Sequence, residues 1–152
     1  MPRSSPSTTR PTEPARVAVA FLEALAAEDL DAALALVADD LLYTNVSLPS
    51  VRGKHALDQA FRPMLGRFGF EVVNHHVAVD TADPGVVITE RTDALVLGPV
   101  HWQFWVYGRF EVRDGLITVW RDSFDWGDVL VGLARGVLGC FVPGAARRLP
   151  PG

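Results

Sequence analysis

One stretch, VVITERTDALVL from Val86 to Leu97, constrains the fold more than any other part of the chain. It is apolar, rich in β-branched residues and free of glycine and proline, which predicts a buried β-strand. Side chains alternate along a strand, so Arg91 and Asp93 share one face while Glu90 points to the other. An ion pair on an apolar face is costly unless further polar groups complete it. Either the other strands supply those groups, or the pair is a structural salt bridge.

Composition narrows the class of protein. A chain of 152 residues, 49% of them apolar, is long enough for one domain with a substantial core. Its net charge of −4, with no basic stripe, argues against nucleic acid as a partner. The single Cys140 excludes an intrachain disulfide. The first residues lack the apolar stretch of a signal peptide and no segment is long and apolar enough to span a membrane, so we expect a cytoplasmic protein.

Local patterns predict helices followed by consecutive strands. Apolar spacing and terminal residues predict helices that begin near Pro14 and Asp29 and a third, from Lys54, that ends or kinks at Pro63. A glycine-rich and therefore weakly held helix is predicted at 126–138. Alternation between turn signals predicts five strands, at 41–46, 70–79, 86–97, 100–112 and 116–124. This order indicates an α+β fold with a curved, mainly antiparallel sheet.

The same patterns divide the chain into three parts. Residues 1–13 are rich in proline, serine, threonine and arginine, and we expect a disordered leader there. Residues 14–142 contain all the predicted helices and strands and form a single domain. Residues 143–152 are predicted to be a flexible C-terminal tail.

Three predicted strands each carry a pair of uncommon residues on one face. The pairs are Tyr43 with Asn45, Arg91 with Asp93, and Trp120 with Asp122. If all three faces point inward, one apolar concavity contains two carboxyl groups, a guanidinium, a phenol and an amide. Apolar walls with a few convergent polar groups are typical of a ligand site.

Such a set of side chains suits acid–base chemistry. Two neighbouring carboxyl groups cannot both ionise easily, and burial opposes ionisation further. Arg91 between Asp93 and Asp122 would stabilise one as a carboxylate while the other keeps its proton, so the pair titrates as a unit. One carboxyl then acts as general base and the other as general acid, while the phenol and amide hold a water molecule. The reaction predicted is addition of water to an electrophile whose leaving oxygen needs a proton.

Other catalytic chemistry finds little support in the sequence. His75 and His76 are adjacent on a predicted strand, so we expect them to point to opposite faces and not to chelate a metal together. The sequence contains no Gly-x-Ser-x-Gly motif. We therefore expect neither a metal nor a cofactor.

With these motifs in place, the chain resembles the limonene-1,2-epoxide hydrolase family. The family pattern of Tyr-x-Asn, Arg-x-Asp and Trp-x-Asp on separate strands is matched by Tyr43-Thr44-Asn45, Arg91-Thr92-Asp93 and Trp120-Arg121-Asp122. The resemblance covers residues 14–140 and implies the NTF2-like (SnoaL-like, cystatin-like) cone, with the N-terminal helices packed in the concave side of the sheet. Residues 14–142 would then be a catalytic domain of this kind.

The resemblance also implies roles for individual residues. Asp122 would deprotonate a water held by Tyr43 and Asn45, and Asp93 would protonate the oxygen of a bulky terpenoid, sterol or lipid epoxide. Arg91 would bridge the carboxyl groups, and a vicinal diol would form in one step. The walls of the substrate site would be Leu95, Trp102, Phe104, Val106, Trp120 and Phe124. The resemblance further suggests a homodimer formed through the outer face of the sheet, where Trp105 and Tyr107 could contribute.

Four alternatives stay open at this point. In an epoxide-opening cyclase of the polyether type, a hydroxyl of the substrate replaces water as the nucleophile. A proton transfer like that of ketosteroid isomerase would need one carboxyl and a donor around a carbonyl group. A non-catalytic binding or dimerisation module would have a pocket filled by side chains. The charged residues could also form a purely structural ion-pair network.

Overall fold

Six strands form the sheet in the computed structural model, which describes residues 12–142 and 144–145. The strands are β1 Val37–Asn45, β2 Val51–Arg52, β3 Gly69–Val79, β4 Val86–Leu97, β5 Val100–Arg113 and β6 Leu116–Ser123. They lie side by side in the order β2-β1-β6-β5-β4-β3. β1 pairs with β6 in parallel and the other neighbours are antiparallel, which confirms the predicted α+β fold with a mixed, mainly antiparallel sheet.

Helices flank this sheet in the described part of the chain. They are α1 Glu13–Ala26, α2 Leu30–Ala35, α3 Lys54–Phe61 and α4 Trp126–Leu138. Pro14 occupies the first turn of α1, where its fixed φ angle suits a helix start. Asp29 caps α2 as predicted, because its carboxylate accepts a hydrogen bond from the backbone N–H of Ala32 at 2.9 Å. At Pro63 the α-helix gives way to a 3₁₀ turn, Arg62–Met64.

The hydrophobic core lies between α1 and the inner face of the sheet, which we define as the face that carries Arg91 and Asp93. Phe21 of α1 is fully buried and meets Trp120 edge-on, with ring centroids 4.9 Å apart. The ring of Phe110 lies 6.3 Å from both of these rings. This aromatic cluster holds Trp120 against α1 and therefore also positions Asp122, two residues further along β6.

Helix α4 has the predicted bounds, and two of its glycines lie close against β5. A Cβ atom on Gly136 would lie 2.6 Å from the carbonyl oxygen of His101, and one on Gly132 would overlap the carbonyl of Gln103. The two glycines therefore let the helix axis approach the backbone of β5. The glycines that led us to expect a weakly held helix thus have a packing role, and the strength with which the helix is held stays a prediction.

Two differences from the prediction lie around β1. This strand begins at Val37, four residues earlier than the predicted start at Leu41, because Val37 pairs with Ile117 of β6. The short strand β2 lies in a segment predicted to be a loop and pairs with β1 at Leu42 and Tyr43. Both additions come from pairing with distant residues, which local alternation does not reveal.

The prediction that His75 and His76 point to opposite faces is wrong. The register between β3 and β4 shifts between Asn74 and His76, as in a β-bulge. His75 Nε2 lies 2.8 Å from Thr92 Oγ1 and His76 Nε2 lies 3.9 Å from Glu90, so both rings lie over the outer face. Among residues 12–142 and 144–145, no group of three or more His, Cys, Asp or Glu side chains is arranged to hold a metal ion.

The predicted leader and tail fall largely outside the described residues. Residues 1–11 of the leader 1–13, and residues 143 and 146–152 of the tail 143–152, are among those not described. The first helix begins at Glu13, one residue before the predicted domain 14–142. None of the helices in the described part of the chain has the length and hydropathy needed to cross a membrane.

Candidate active site

A cavity of about 380 Å³ opens over the inner face of the sheet. All the predicted site residues except Arg91 line it: Tyr43, Asn45, Asp93, Leu95, Trp102, Phe104, Val106, Trp120, Asp122 and Phe124. The lining residues that strand alternation did not identify come mainly from helices: Ala60, Phe61, Met64, Phe70, Trp126 and Val129. Helix α3 thus supplies one wall and helix α4 another.

Arg91 lies directly beneath the cavity and joins the two carboxyl groups. Its side chain is 0% exposed. Nε donates to Oδ1 of Asp93 at 2.9 Å, and Nη2 donates to Oδ2 of Asp122 at 2.6 Å. Charge-assisted hydrogen bonds of this length fix both carboxyl groups in place. The pairing expected from strand alternation is therefore present in the structure.

Two residues that the sequence reasoning missed complete the surroundings of Arg91. The hydroxyl oxygen of Thr89 accepts a hydrogen bond from Arg91 Nη1 at 3.1 Å. Gly108 of β5 lies opposite both Thr89 and Asp122 in the register, and a Cβ there would lie 2.5 Å from Thr89 Oγ1 and overlap Arg91 Nη1. A glycine inside a predicted strand often marks such a close approach, and this signal could have identified Gly108. Alternation alone places Thr89 on the face of Arg91.

The parallel pairing of β1 with β6 brings the phenol and the amide to Asp122. Tyr43 lies opposite Trp120 in the register, and Asn45 lies opposite Asp122. The ring of Tyr43 stacks on that of Trp120, with centroids 4.1 Å apart. Asn45 Nδ2 donates to the hydroxyl oxygen of Tyr43 at 2.6 Å. This bond leaves the phenolic O–H and the amide oxygen free to contact a water molecule.

The two carboxyl groups differ in the donors that they face. Asp122 accepts from Arg91 and also from the indole N–H of Trp120, with 2.9 Å between Nε1 and Oδ1. Among the described residues, Asp93 accepts a side-chain hydrogen bond from Arg91 alone. A second donor favours the ionised form, so Asp122 receives more hydrogen-bond stabilisation as a carboxylate than Asp93 does.

Burial dominates the ionisation of this cluster. It raises the pKa of Asp93 to about 6, against the opposing effect of Arg91. It also raises the pKa of Asp122, where Arg91 and Trp120 oppose it. Burial, together with the nearby charge of Asp122, raises the pKa of Tyr43, so the phenol keeps its proton at neutral pH. Groups with pKa values displaced in this way, beside a cavity, are typical of functional sites.

Comparison with known proteins identifies the family. The family description "limonene-1,2-epoxide hydrolase catalytic domain" matches residues 12–135. This chain belongs to the limonene-1,2-epoxide hydrolase family. It is 48% identical over 140 residues to epoxide hydrolase EphG of Mycobacterium tuberculosis, a match that covers 92% of each protein. The family and enzyme class inferred from the three motifs are thereby confirmed.

Two solved structures superpose well on this chain. A limonene-1,2-epoxide hydrolase-like epoxide hydrolase of M. tuberculosis superposes with a TM-score of 0.85 at 46% identity, covering 96% of this chain and 100% of that one. A ketosteroid isomerase from a Mycobacterium species superposes with a TM-score of 0.70 at 18% identity, covering 78% and 97% of the two chains. The second likeness shows a shared fold alone.

Proposed function

We propose that this protein adds water to an apolar epoxide in one step, using Asp93, Arg91 and Asp122 with Tyr43 and Asn45. The observation that carries the proposal is the guanidinium of Arg91, bonded at once to both buried carboxyl groups beneath the cavity. A cavity of about 380 Å³ falls within the range of small-molecule sites, about 300–1,000 Å³. Its walls are mainly aromatic and aliphatic, which favours an apolar substrate.

Asp122 is the proposed general base. Its two donors favour the carboxylate form, and Asn45 and Tyr43 lie beside it across the parallel strand pair. A water held by the phenolic O–H and by the amide oxygen of Asn45 would lie within reach of the carboxylate. Asp122 takes a proton from this water molecule while the oxygen of the water attacks an epoxide carbon.

Asp93 is the proposed general acid. Its raised pKa, about 6, leaves about half of the carboxyl groups protonated at pH 6 and about a tenth at pH 7. Its proton goes to the epoxide oxygen as the carbon–oxygen bond breaks, and the product is a vicinal diol. Asp122 gains one proton and Asp93 loses one. Transfer of a proton from Asp122 to Asp93 therefore restores the starting state. The reaction needs no other reactant than water.

Two observations favour catalysis over a non-catalytic binding module. Such a module would have a pocket filled by side chains and an Asp122 bonded to Arg91 alone. The cavity is instead open, and Asp122 has Trp120 as a second partner. Attack by water is favoured over attack by a substrate hydroxyl because the bond from Asn45 to Tyr43 leaves a phenolic O–H donor and an amide oxygen acceptor, which together can hold a water molecule.

The direct test is product analysis in heavy-oxygen water. The purified protein, incubated with a panel of apolar epoxides in H₂¹⁸O, is expected to yield vicinal diols that carry one ¹⁸O atom. Mass spectrometry of the diols measures the label. Cyclic ethers without label would instead support the cyclase, and a panel left unchanged by the protein would rule out the proposal.

We also propose that two copies associate through the outer face of the sheet. Trp105 and Tyr107 lie there, 39% and 53% exposed, and His75 stacks on Trp105 with ring centroids 4.6 Å apart. Exposed aromatic side chains are enriched in protein interfaces. Light scattering is expected to give twice the mass of one chain, and Tyr107→Lys should shift this equilibrium towards the monomer. A monomer at all concentrations would contradict the proposal.

A further inference from the structure

Helix α4 presents an apolar surface to solvent on the side away from β5. Gly132 and Gly136 lie against the backbone of β5, and Val129 is buried. Beyond the helix end the chain keeps a helical path, because the N–H of Val142 donates to the carbonyl of Leu138 at 2.9 Å. Six apolar side chains of this segment are between 45% and 80% exposed: Leu130, Val131, Val137, Leu138, Phe141 and Val142. We refer to these six residues as the α4 face.

The α4 face is a group of neighbouring residues and not a set of scattered ones. Leu130, Val137 and Phe141 follow one another at intervals of seven and four residues, so they lie along one side of the helical path. Phe141, at 80%, is the most exposed large apolar side chain in the described part of the chain. None of the six residues lines the cavity over the inner face. Exposed apolar groups of this kind mark a surface that contacts a partner or a membrane.

The C-terminal end of the chain is positively charged, in contrast to the rest. From Val129 to Gly152 the sequence contains three arginines, Arg135, Arg147 and Arg148, and no Asp or Glu. A net charge of −4 for the whole chain and of +3 for this segment leaves −7 for residues 1–128. An apolar surface with positive charge beside it suits a partner that is apolar within and negatively charged at its surface.

The acidic residues of α4 are held at its other end. Asp125 caps the helix, because its carboxylate accepts a hydrogen bond from the N–H of Asp128 at 2.9 Å. The carboxylate of Asp128 accepts from the N–H of Trp105 at 2.8 Å. Seven residues separate Asp128 from Arg135, which is about 10.5 Å along a helix and exceeds the screening length of about 8 Å at physiological ionic strength. The last turns of α4 therefore present Arg135 without a compensating carboxylate from this helix.

We propose that the α4 face binds the surface of an anionic lipid bilayer. Its apolar side chains enter the boundary between head groups and acyl chains, about 5–10 Å deep, and the arginines contact lipid phosphates. The contact is peripheral, since α4 has 13 residues and is too short to span a bilayer. This inference does not depend on the proposed reaction.

A second copy of this chain fits the α4 face less well. A two-fold contact uses the same surface on both partners. The positively charged segment of one copy would then lie against that of the other, with no carboxylate in residues 129–152 to compensate it. An anionic lipid supplies the missing negative charge.

Binding through α4 orients the protein on the bilayer. Trp126 and Val129, on the other side of the same helix, line the cavity. With the α4 face on the bilayer, the cavity lies close to the lipid surface. The excess negative charge of residues 1–128 favours the orientation in which α4 is nearest to anionic lipid.

The test measures binding of the purified protein to two kinds of vesicle by cosedimentation. One kind contains phosphatidylcholine alone, and the other contains phosphatidylcholine and phosphatidylglycerol in a ratio of about 3:1. Wild type is expected to bind the anionic vesicles about tenfold or more tightly than the neutral ones, and to lose this preference at high salt. Equal affinity for both kinds of vesicle, or no binding to either, would overturn the proposal.

Three substitutions on the C-terminal segment separate the apolar from the charged contribution. Phe141→Ser should weaken binding to the anionic vesicles about tenfold, and Leu138→Ser about fivefold, because each removes apolar area that lipid would cover. Arg135→Gln should weaken it about fivefold through the lost charge. Circular dichroism confirms that each variant is folded.

Leu116→Ser is the matched control for Leu138→Ser. It makes the same chemical change at an exposed position at the start of β6, away from α4. Its affinity for the anionic vesicles should stay within about twofold of wild type. Equal losses in Leu116→Ser and Leu138→Ser would contradict the assignment of lipid binding to the α4 face.

Light scattering without lipid tests the competing occupant. The mass of the assembly should be the same for wild type and Phe141→Ser, because the proposed contact between copies involves the outer face of the sheet at Trp105 and Tyr107. A lower mass for Phe141→Ser would show that a second copy covers the α4 face, and the lipid proposal would then be wrong.

Discussion

Replacing Asp122 with asparagine is expected to lower kcat/KM for epoxide opening by about 10²–10⁴-fold, the usual contribution of a general base. The amide has nearly the shape of the carboxylate and still offers an oxygen to Arg91 or Trp120, but it cannot take a proton from water. Steady-state rates of diol formation measure the effect. Asp40→Asn, at an exposed position of β1, makes the same chemical change away from the site and should retain full activity.

Asp93→Asn distinguishes the acid from the base through pH dependence. The acid acts only while protonated, and its pKa of about 6 means that the protonated fraction falls as the pH rises above 6. Wild-type kcat/KM should therefore decrease about tenfold per pH unit on the alkaline side. Asp93→Asn should lose about 10²–10⁴-fold in rate near pH 6 and lose this decrease as well. An alkaline decrease that persists in Asp93→Asn, or an Asp122→Asn variant as active as Asp40→Asn, would refute the assigned roles.

Gly108→Ala is expected to be the most destabilising single substitution near the site. The added methyl group would overlap Arg91 Nη1 and lie 3.2 Å from Asp122 Oδ1, so the guanidinium would have to move. Separating a buried charge from its partner costs about 3–5 kcal/mol of the free energy of unfolding. For a protein of this size, the melting temperature would fall by about 6–20 °C. Urea and thermal unfolding followed by circular dichroism provide both values.

Gly69→Ala is the matched control for this substitution. Gly69 is also a strand glycine, but its Cβ would come nearest to the Cβ of Val96, at 3.3 Å, and would touch no charged group. We expect a change below about 1 kcal/mol there. Equal stabilities of Gly108→Ala and Gly69→Ala would show that Arg91 does not depend on the space beside Gly108.

The polar set of the site could be predicted because strand alternation is a local property. Arg91 and Asp93 share a face whatever strands lie beside them, and the same holds for Trp120 with Asp122. The bounds of β4 agree with the prediction because Gly and Pro residues mark the turns on both sides of it. Spacing alone did not say which carboxyl group is the base and which is the acid. The resemblance to the family implied that assignment.

What escaped prediction depends on contacts between distant residues. The overlap that a side chain at Gly108 would cause arises only when β4, β5 and β6 lie in register. The bulge that turns His75 and His76 to one face likewise comes from the pairing of β3 with β4. The helical walls at Phe61 and Val129 depend on how α3 and α4 pack on the sheet, which sequence periodicity does not specify.

The parallel pairing of β1 with β6 has a consequence for how activity is acquired. The hairpins β3–β4, β4–β5 and β5–β6 join neighbouring segments and need only short chain closures, whereas Asn45 and Asp122 come from opposite ends of the domain. Contacts of such wide sequence separation form slowly. A nascent chain that still lacks β6 therefore holds Arg91 and Asp93 without Asp122, so the proposed base joins the site only once β6 is synthesised and pairs with β1.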